Sequence, residues 1–338
     1  MRTYQKVLEV ERATVDPLDL VRTRLVGYFI LYAPTPQSLA AVFEVLHAGA
    51  FDQVCYDLGN ELLEQFVRPF MRRRFETSAF DPGDEYSDEK PKRPRVSVML
   101  KQAPHNAQYA KMLTLYRDAF RCKLTDTFDV CSLVYMPLAQ RIFSETEGAE
   151  AGQIYNRHII PDLAADGLIS NKPLWDLFAK LGLPELRAEL ADGIHRLENM
   201  LTLRADVCGM MDDLNLCLTP VKGKADGNYN VVLFGKYAEE RGSVRGLPEK
   251  KAFWLSGRVP NPSTKYLRIH ATCSYIAHYS GAIEWSEDGV LSRVIRVGDD
   301  QCDDDDVDIH HFVDSDGDVI DLFSLSDIDD DTDADACN

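Results

Sequence analysis

TPQSLAAVFEVLHAGAFDQVCYDLGNELLEQFVRPF, residues 35–70, shows how this chain builds its interior. Thr35 is an N-cap and Pro36 the first helical residue, a pairing that satisfies an orphan amide and presets φ for helix entry. The helix so opened runs to about His47 and stops at Gly49. Another begins near Phe51, where Val54, Leu58, Leu62, Leu63 and Phe66 form one apolar stripe. Pro69 lacks an N–H and crowds the carbonyl four residues back, so it ends or kinks this helix. Upstream, Leu18, Leu20, Val21, Leu25, Phe29 and Tyr32 recur at the same spacing. Three helices packed on one another are therefore expected in segment 1–75.

Composition changes after residue 75. Residues 76–97 are Asp, Gly, Ser, Glu, Lys and Pro with little to bury, and read as an exposed charged linker. Helical patterning resumes near Asn106 and runs, with breaks at Pro137 and near Gly148, to Ile160. Leu174, Leu177, Phe178 and Leu181 make a short amphipathic helix ended by Gly182. Pro184 opens one more, with Leu186, Leu190, Ile194, Leu197, Leu201 and Leu203 on one face. Segment 98–220 is thus expected to be mostly helix. In 221–297 the runs are short and β-branched or aromatic: residues 231–234, 252–255, 266–272 and 290–295, with Asp226-Gly227 and Asp288-Gly289 as turns. The fold class expected is α+β: a mainly helical N-terminal body, a small antiparallel β-sheet near the C-terminus, and a disordered acidic tail over 298–338.

Charge is distributed unevenly. After Arg296 there is no Lys, Arg or Glu, and the tail holds seventeen aspartates. Removing them from the formal charge of −18 leaves −1 for the rest, so acidity is a local device. The first thirty residues lack a signal-peptide pattern, and the apolar run 25–33 is too short to span a bilayer. An intracellular protein without membrane attachment is expected, in the nucleus rather than the cytoplasm. Eight cysteines are spread without a C-x-x-C pair, which fits reduced thiols rather than a disulfide scaffold.

Metal and catalytic signals are sparse. His270, Cys273 and His278 supply ligand types that zinc accepts, but 266–272 reads as a strand, in which positions 270 and 273 point to opposite faces. The expectation is no metal and no cofactor, with these three residues as the candidates if one binds. Asp314, Asp316 and Asp318 resemble the opening of an EF-hand loop, but Val319 and Leu325 stand where that loop needs Gly and Glu. His310-His311 offers imidazoles without fixed geometry, and the adjacent Asp212-Asp213 reads as a solvated helix face. No Gly-rich phosphate loop, G-x-S-x-G elbow or H-E-x-x-H helix occurs.

Docking signals are stronger. Lys90, Lys92, Arg93 and Arg95, interleaved with Pro91 and Pro94, resemble a nuclear localisation signal, which implies an import receptor as partner. The near-neutral body without an aromatic platform argues against nucleic acid. In the tail, Val319, Ile320, Asp321, Leu322 and Phe323 lie beside an aspartate run with Ser324 and Ser326, and resemble a SUMO-interaction motif. Such a segment adds as a strand to its partner while its carboxylates meet a basic rim. With Leu325 and Ile328, the same residues match the acidic-apolar alternation of activation segments. The leading expectation is a non-enzymatic regulatory or adaptor protein whose tail docks onto a basic groove, SUMO-like or in a transcription component. The alternatives are an enzyme or metal-dependent protein with a site between helical body and sheet, and a viral structural or assembly protein with a solubilising tail.

Overall fold

The computed structural model describes residues 2–71, 96–161, 172–190, 193–253 and 259–284. Helices open the chain: α1 (Arg2–Ala13), α2 (Pro17–Tyr32), α3 (Pro36–Leu46) and α4 (Phe51–Glu61). Asp16 caps α2 by accepting from the Leu18 and Asp19 amides, and Thr35 caps α3 by accepting from Ser38, each with Pro as the first helical residue. The rod that starts at Phe51 continues past its proline. It passes through a π-turn, Leu62–Val67, in which the Arg68 N–H donates to the Leu63 carbonyl, and resumes as α5 (Arg68–Met71). Widening the register there accommodates the missing donor and the ring of Pro69.

The middle follows as α6 (Val96–Gln102), α7 (Ala107–Arg117), β1 (Phe128–Asp129), α8 (Val130–Tyr135), α9 (Pro137–Ser144), β2 (Ala151–Gly152), β3 (Ile154–His158), α10 (Lys172–Lys180) and α11 (Glu185–Leu190). The last part holds β4 (Met200–Arg204), α12 (Ala205–Asp212), β5 (Leu216–Pro220), β6 (Asn228–Leu233), α13 (Lys236–Glu239), β7 (Lys250–Ala252) and α14 (Thr264–Ser280). β1 pairs with β2 in parallel, β3 with β4 antiparallel, and β5, β6 and β7 form an antiparallel sheet in that order. The fold is mixed α+β with small antiparallel sheets, as expected. One apolar core runs from Val7 on α1 to Ala282 beyond α14.

Three expectations are corrected. Residues 154–158 and 200–204, read as helix, are the paired strands β3 and β4. Met200 to Leu203 are buried on both faces and β3 buries Asn156 and Arg157 beside Ile154, so neither strand shows the apolar-polar alternation that separates strand from helix. Residues 266–272, read as strand, belong to α14. That helix packs against α2 on one side and β5 on the other, and is buried nearly all round, so no polar stripe marks its period. α1, which the sequence reading passed over, docks on α2 through Val7 and Val10.

Candidate functional site

Several described polar groups converge where β3 ends and β4 begins. β3 and β4 pair in the register Ile154 with Arg204 through His158 with Met200, and β4 runs directly into α12. His158 therefore sits at the open end of the two strands, opposite the short 3-10 turn Leu197–Asn199 that leads into β4.

Asn199 builds the geometry there. It is fully buried, and its backbone carbonyl accepts from Ile159 at 2.8 Å. Its side-chain oxygen accepts from the Ile160 N–H at 2.8 Å, while its amide donates to the carbonyls of Ile160 at 3.0 Å and Ile194 at 3.1 Å. One side chain thus ties the chain just after His158 to the chain just before His195. The two imidazoles meet: Nε2 of His158 lies 3.0 Å from Nδ1 of His195, with ring centroids 5.0 Å apart and planes at 43°. Both residues are half-buried.

Behind them stands a buried ion pair. The Arg157 Nε donates to Asp212 at the end of α12, and its Nη1 donates to the His158 carbonyl at 2.9 Å. Cys208, one turn earlier on α12, places its Sγ 3.9 Å from the other Asp212 oxygen. Asp212 is consequently not on a solvated face: its side chain is 13% exposed and bonded to a guanidinium.

The shared contact admits two chemistries. With a proton between the rings, one nitrogen donates and the other accepts, and imidazole is the side chain suited to take and return a proton near neutral pH. With an ion in place of the proton, two nitrogens each ~2.0–2.1 Å from one divalent metal would stand roughly 3 Å apart, as these do. Among the described residues no set of three His, Cys, Asp or Glu side chains comes together around one point, and the pair itself offers two imidazole nitrogens.

The residues singled out from the sequence lie elsewhere. On α14, His270 and Cys273 are one turn apart rather than on opposite faces. His270 is fully buried with Nε2 3.2 Å from the Met211 carbonyl. Burial, and then the charge of Arg157, push its imidazole down to about 3, against the opposing pull of the Met211 carbonyl. Burial raises the Cys273 thiol well above its ordinary value, and its Sγ lies 3.8 Å from the Phe66 carbonyl. His278 stacks on Phe234 at 4.5 Å, and burial lowers it to about 4 against a hydrogen bond to the Leu214 backbone. Each of the three has its own packing partner. Lys90, Lys92, Arg93 and Arg95, and the tail residues Val319, Ile320, Asp321, Leu322, Phe323, Leu325 and Ile328, lie outside the described residues.

His158, His195 and Asn199 were hidden in the sequence by the helical reading of 98–220. The available signal was His158 next to the apolar pair Ile159-Ile160 and a proline, a strand end rather than a helix interior. Among the described residues no helix is long and apolar enough to cross a membrane. No protein-family model, curated protein or solved structure matches the chain.

Proposed function

We propose that the folded part is an enzyme or metal-dependent protein whose centre is the His158–His195 pair. The observation that supports it is the 3.0 Å contact between Nε2 and Nδ1 of two half-buried histidines, fixed by the buried Asn199. Structural histidines here behave otherwise: His270 and His278 are packed against helix and sheet and held neutral. At the pair, one imidazole orients the other for proton transfer to or from an oxygen, which suits hydrolytic chemistry. A divalent ion bound there would supply Lewis-acid polarisation of that oxygen. Calorimetric titration of Zn2+ or Mn2+ into the full chain tests the reading. Binding at one ion per chain that His158→Ala and His195→Ala each abolish is expected; equal binding by both variants and the unaltered chain would sink it.

A second reading keeps the tail as the working part, in a regulatory or adaptor protein of the nucleus. What favours it is the sequence alone: large apolar residues set regularly among aspartates, where a purely solvating tail needs none. Replacing Val319, Ile320 and Leu322 with Ala should abolish binding to SUMO while sparing contacts that rest on charge. The two readings are compatible in one chain, with the centre in the body and the docking segment in the tail.

A further inference from the structure

A tyrosine-lined cleft lies on the flank of α14, beside the end of α2. Tyr32, the last residue of α2, stacks on Tyr275 at 4.4 Å with 5° between ring planes. Tyr279, 44% exposed, leans on both, at 5.6 Å from Tyr32 and 5.8 Å from Tyr275. Phe234 closes the inner side, edge-on to Tyr275 at 5.2 Å. Beside this stack is an opening of about 290 Å³, lined by Tyr32, Pro34, Thr219, Pro220, Arg268 and Tyr275 among others. Its walls are aromatic and proline surface, and its one charged lining residue is cationic.

The rim is also basic. Arg268 is exposed on α14, and Lys222 and Lys224 are exposed on the turn that follows Pro220. Among the described residues none of the three makes a salt bridge. Asp226, in the same turn, is the nearby acidic residue in sequence. Such a surface suits a segment that alternates large apolar side chains with carboxylates.

We propose that the occupant is this chain's own segment VIDLF, residues 319–323, with its flanking aspartates. This rests on the acidic-apolar pattern of the tail and is independent of the histidine centre. Three observations carry it. The segment has the complementary chemistry: Val, Ile, Leu and Phe for the tyrosine and proline walls, and aspartates on either side for Arg268 and the two lysines. The point of attachment is close, because the described chain reaches Glu284 just past the end of α14, and the cleft is lined by Arg268, Ala271, Thr272 and Tyr275 of that same helix. At ~1.5 Å per helical residue, the cleft is only ~8–18 Å from Ser280. The reach is ample too: residues 285–318 could extend for more than ~100 Å, so geometry does not forbid the contact. A tethered segment meets its site at an effective concentration of order mM, which allows a weak contact to be well occupied. Docked in this way, the segment is withheld from an outside partner, and partner and cleft compete for it.

The test uses the full chain with a photoreactive benzoylphenylalanine in place of Phe323. Irradiation followed by peptide mass spectrometry should give a cross-link within one chain to peptides holding Tyr32, Arg268 or Tyr275. The yield should fall severalfold in Arg268→Glu and in high salt, and because Arg268 is exposed the variant should keep the circular-dichroism spectrum of the unaltered chain. Cross-links only between copies, only to other parts of the chain, or absent altogether would each overturn the proposal. So would a yield that Arg268→Glu leaves unchanged. None of these results bears on cation binding at His158 and His195, so the two proposals fail separately.

Discussion

Asn199 holds both backbone polar groups of Ile160: its side chain accepts from the Ile160 N–H at 2.8 Å and donates to the Ile160 carbonyl at 3.0 Å. With the further donation to Ile194, a single fully buried amide sets the distance between two loops that each carry a histidine. Asn199→Ala strands three backbone groups in the interior. A loss of about 2–4 kcal/mol is expected from the unmade hydrogen bonds. Asn199→Asp fares no better, since it keeps the acceptor but sets a carboxylate oxygen against two carbonyls. Urea denaturation should show both losses, and cation binding at the histidine pair should weaken in either variant even where it remains folded.

Gly59 marks where α4 crosses α2 at the closest approach. A Cβ on Gly59 would overlap the Arg22 carbonyl oxygen and lie 2.8 Å from the Arg22 Cα, both backbone atoms that cannot swing aside. Gly59→Ala should therefore push the helices apart and destabilise by roughly 1–3 kcal/mol or more. Gly209 in α12 gives the contrast, because a Cβ there meets nothing within 4 Å. Gly209→Ala should stabilise by about 0.5–1 kcal/mol through helix propensity and unfolded-state entropy. Opposite shifts of the denaturation midpoint in the two glycine variants are the check.

His270 and His278 predict an acid limb of stability. Burial, then the charge of Arg157, depress His270 to about 3 from an ordinary 6.5, and burial depresses His278 to about 4. The unfolded chain binds protons at these positions below pH ~6.5 while the folded chain does not, so stability rises with pH across that window. It is full above ~6.5 and falls as pH drops toward the folded values. For the fully buried His270 the slope is on the order of 1.4 kcal/mol per pH unit once the unfolded imidazole is protonated. Denaturation midpoints from pH 7.5 to 5 should fall before carboxylates titrate, and His270→Gln should flatten the decline. A pH-independent midpoint in this range would refute the assignment.

The parts of this fold legible in the sequence are those fixed locally. Thr35-Pro36 opens α3 and Gly182 ends the turn after α10 because capping and positive φ are properties of a few adjacent residues. β3, β4 and α14 were misread for a shared reason: their partners are distant in sequence and cover them on more than one side. Residues 266–272 carry β-branched and aromatic side chains because α14 must fill space against both α2 and β5, and tertiary burial overrides that propensity. The candidate site was illegible for the same cause. His158 and His195 are thirty-seven residues apart, and only the pairing of β3 with β4 and the reach of Asn199 bring them together.

Arg117 extends that support to the far side of the same turn. Its guanidinium donates from Nε and Nη2 to the two oxygens of Asp118, each at 2.8 Å, from Nη1 to the carbonyls of Leu197 at 2.8 Å and Pro260 at 3.2 Å, and from Nη2 to the carbonyl of Met200 at 2.9 Å. Burial alone would raise the Asp118 carboxyl, but Arg117 and then Lys123 hold it below its ordinary value. Both side chains of the Arg117–Asp118 pair are fully buried, so the pair needs the shape of the guanidinium as well as its charge. Arg117→Lys keeps the charge, yet one ammonium with three donors cannot serve a bidentate carboxylate and three carbonyls in different directions. A loss of about 2–4 kcal/mol is expected from that replacement, and about 3–5 kcal/mol from Arg117→Met, which removes one partner of a buried charge. Because Leu197 and Met200 flank Asn199, the Lys variant should also speed amide exchange at Asn199 and weaken cation binding at the histidine pair. Chemical denaturation and hydrogen exchange measure the two effects separately. A Lys variant as stable as the original chain would show that charge, not the planar fork, holds this turn in place.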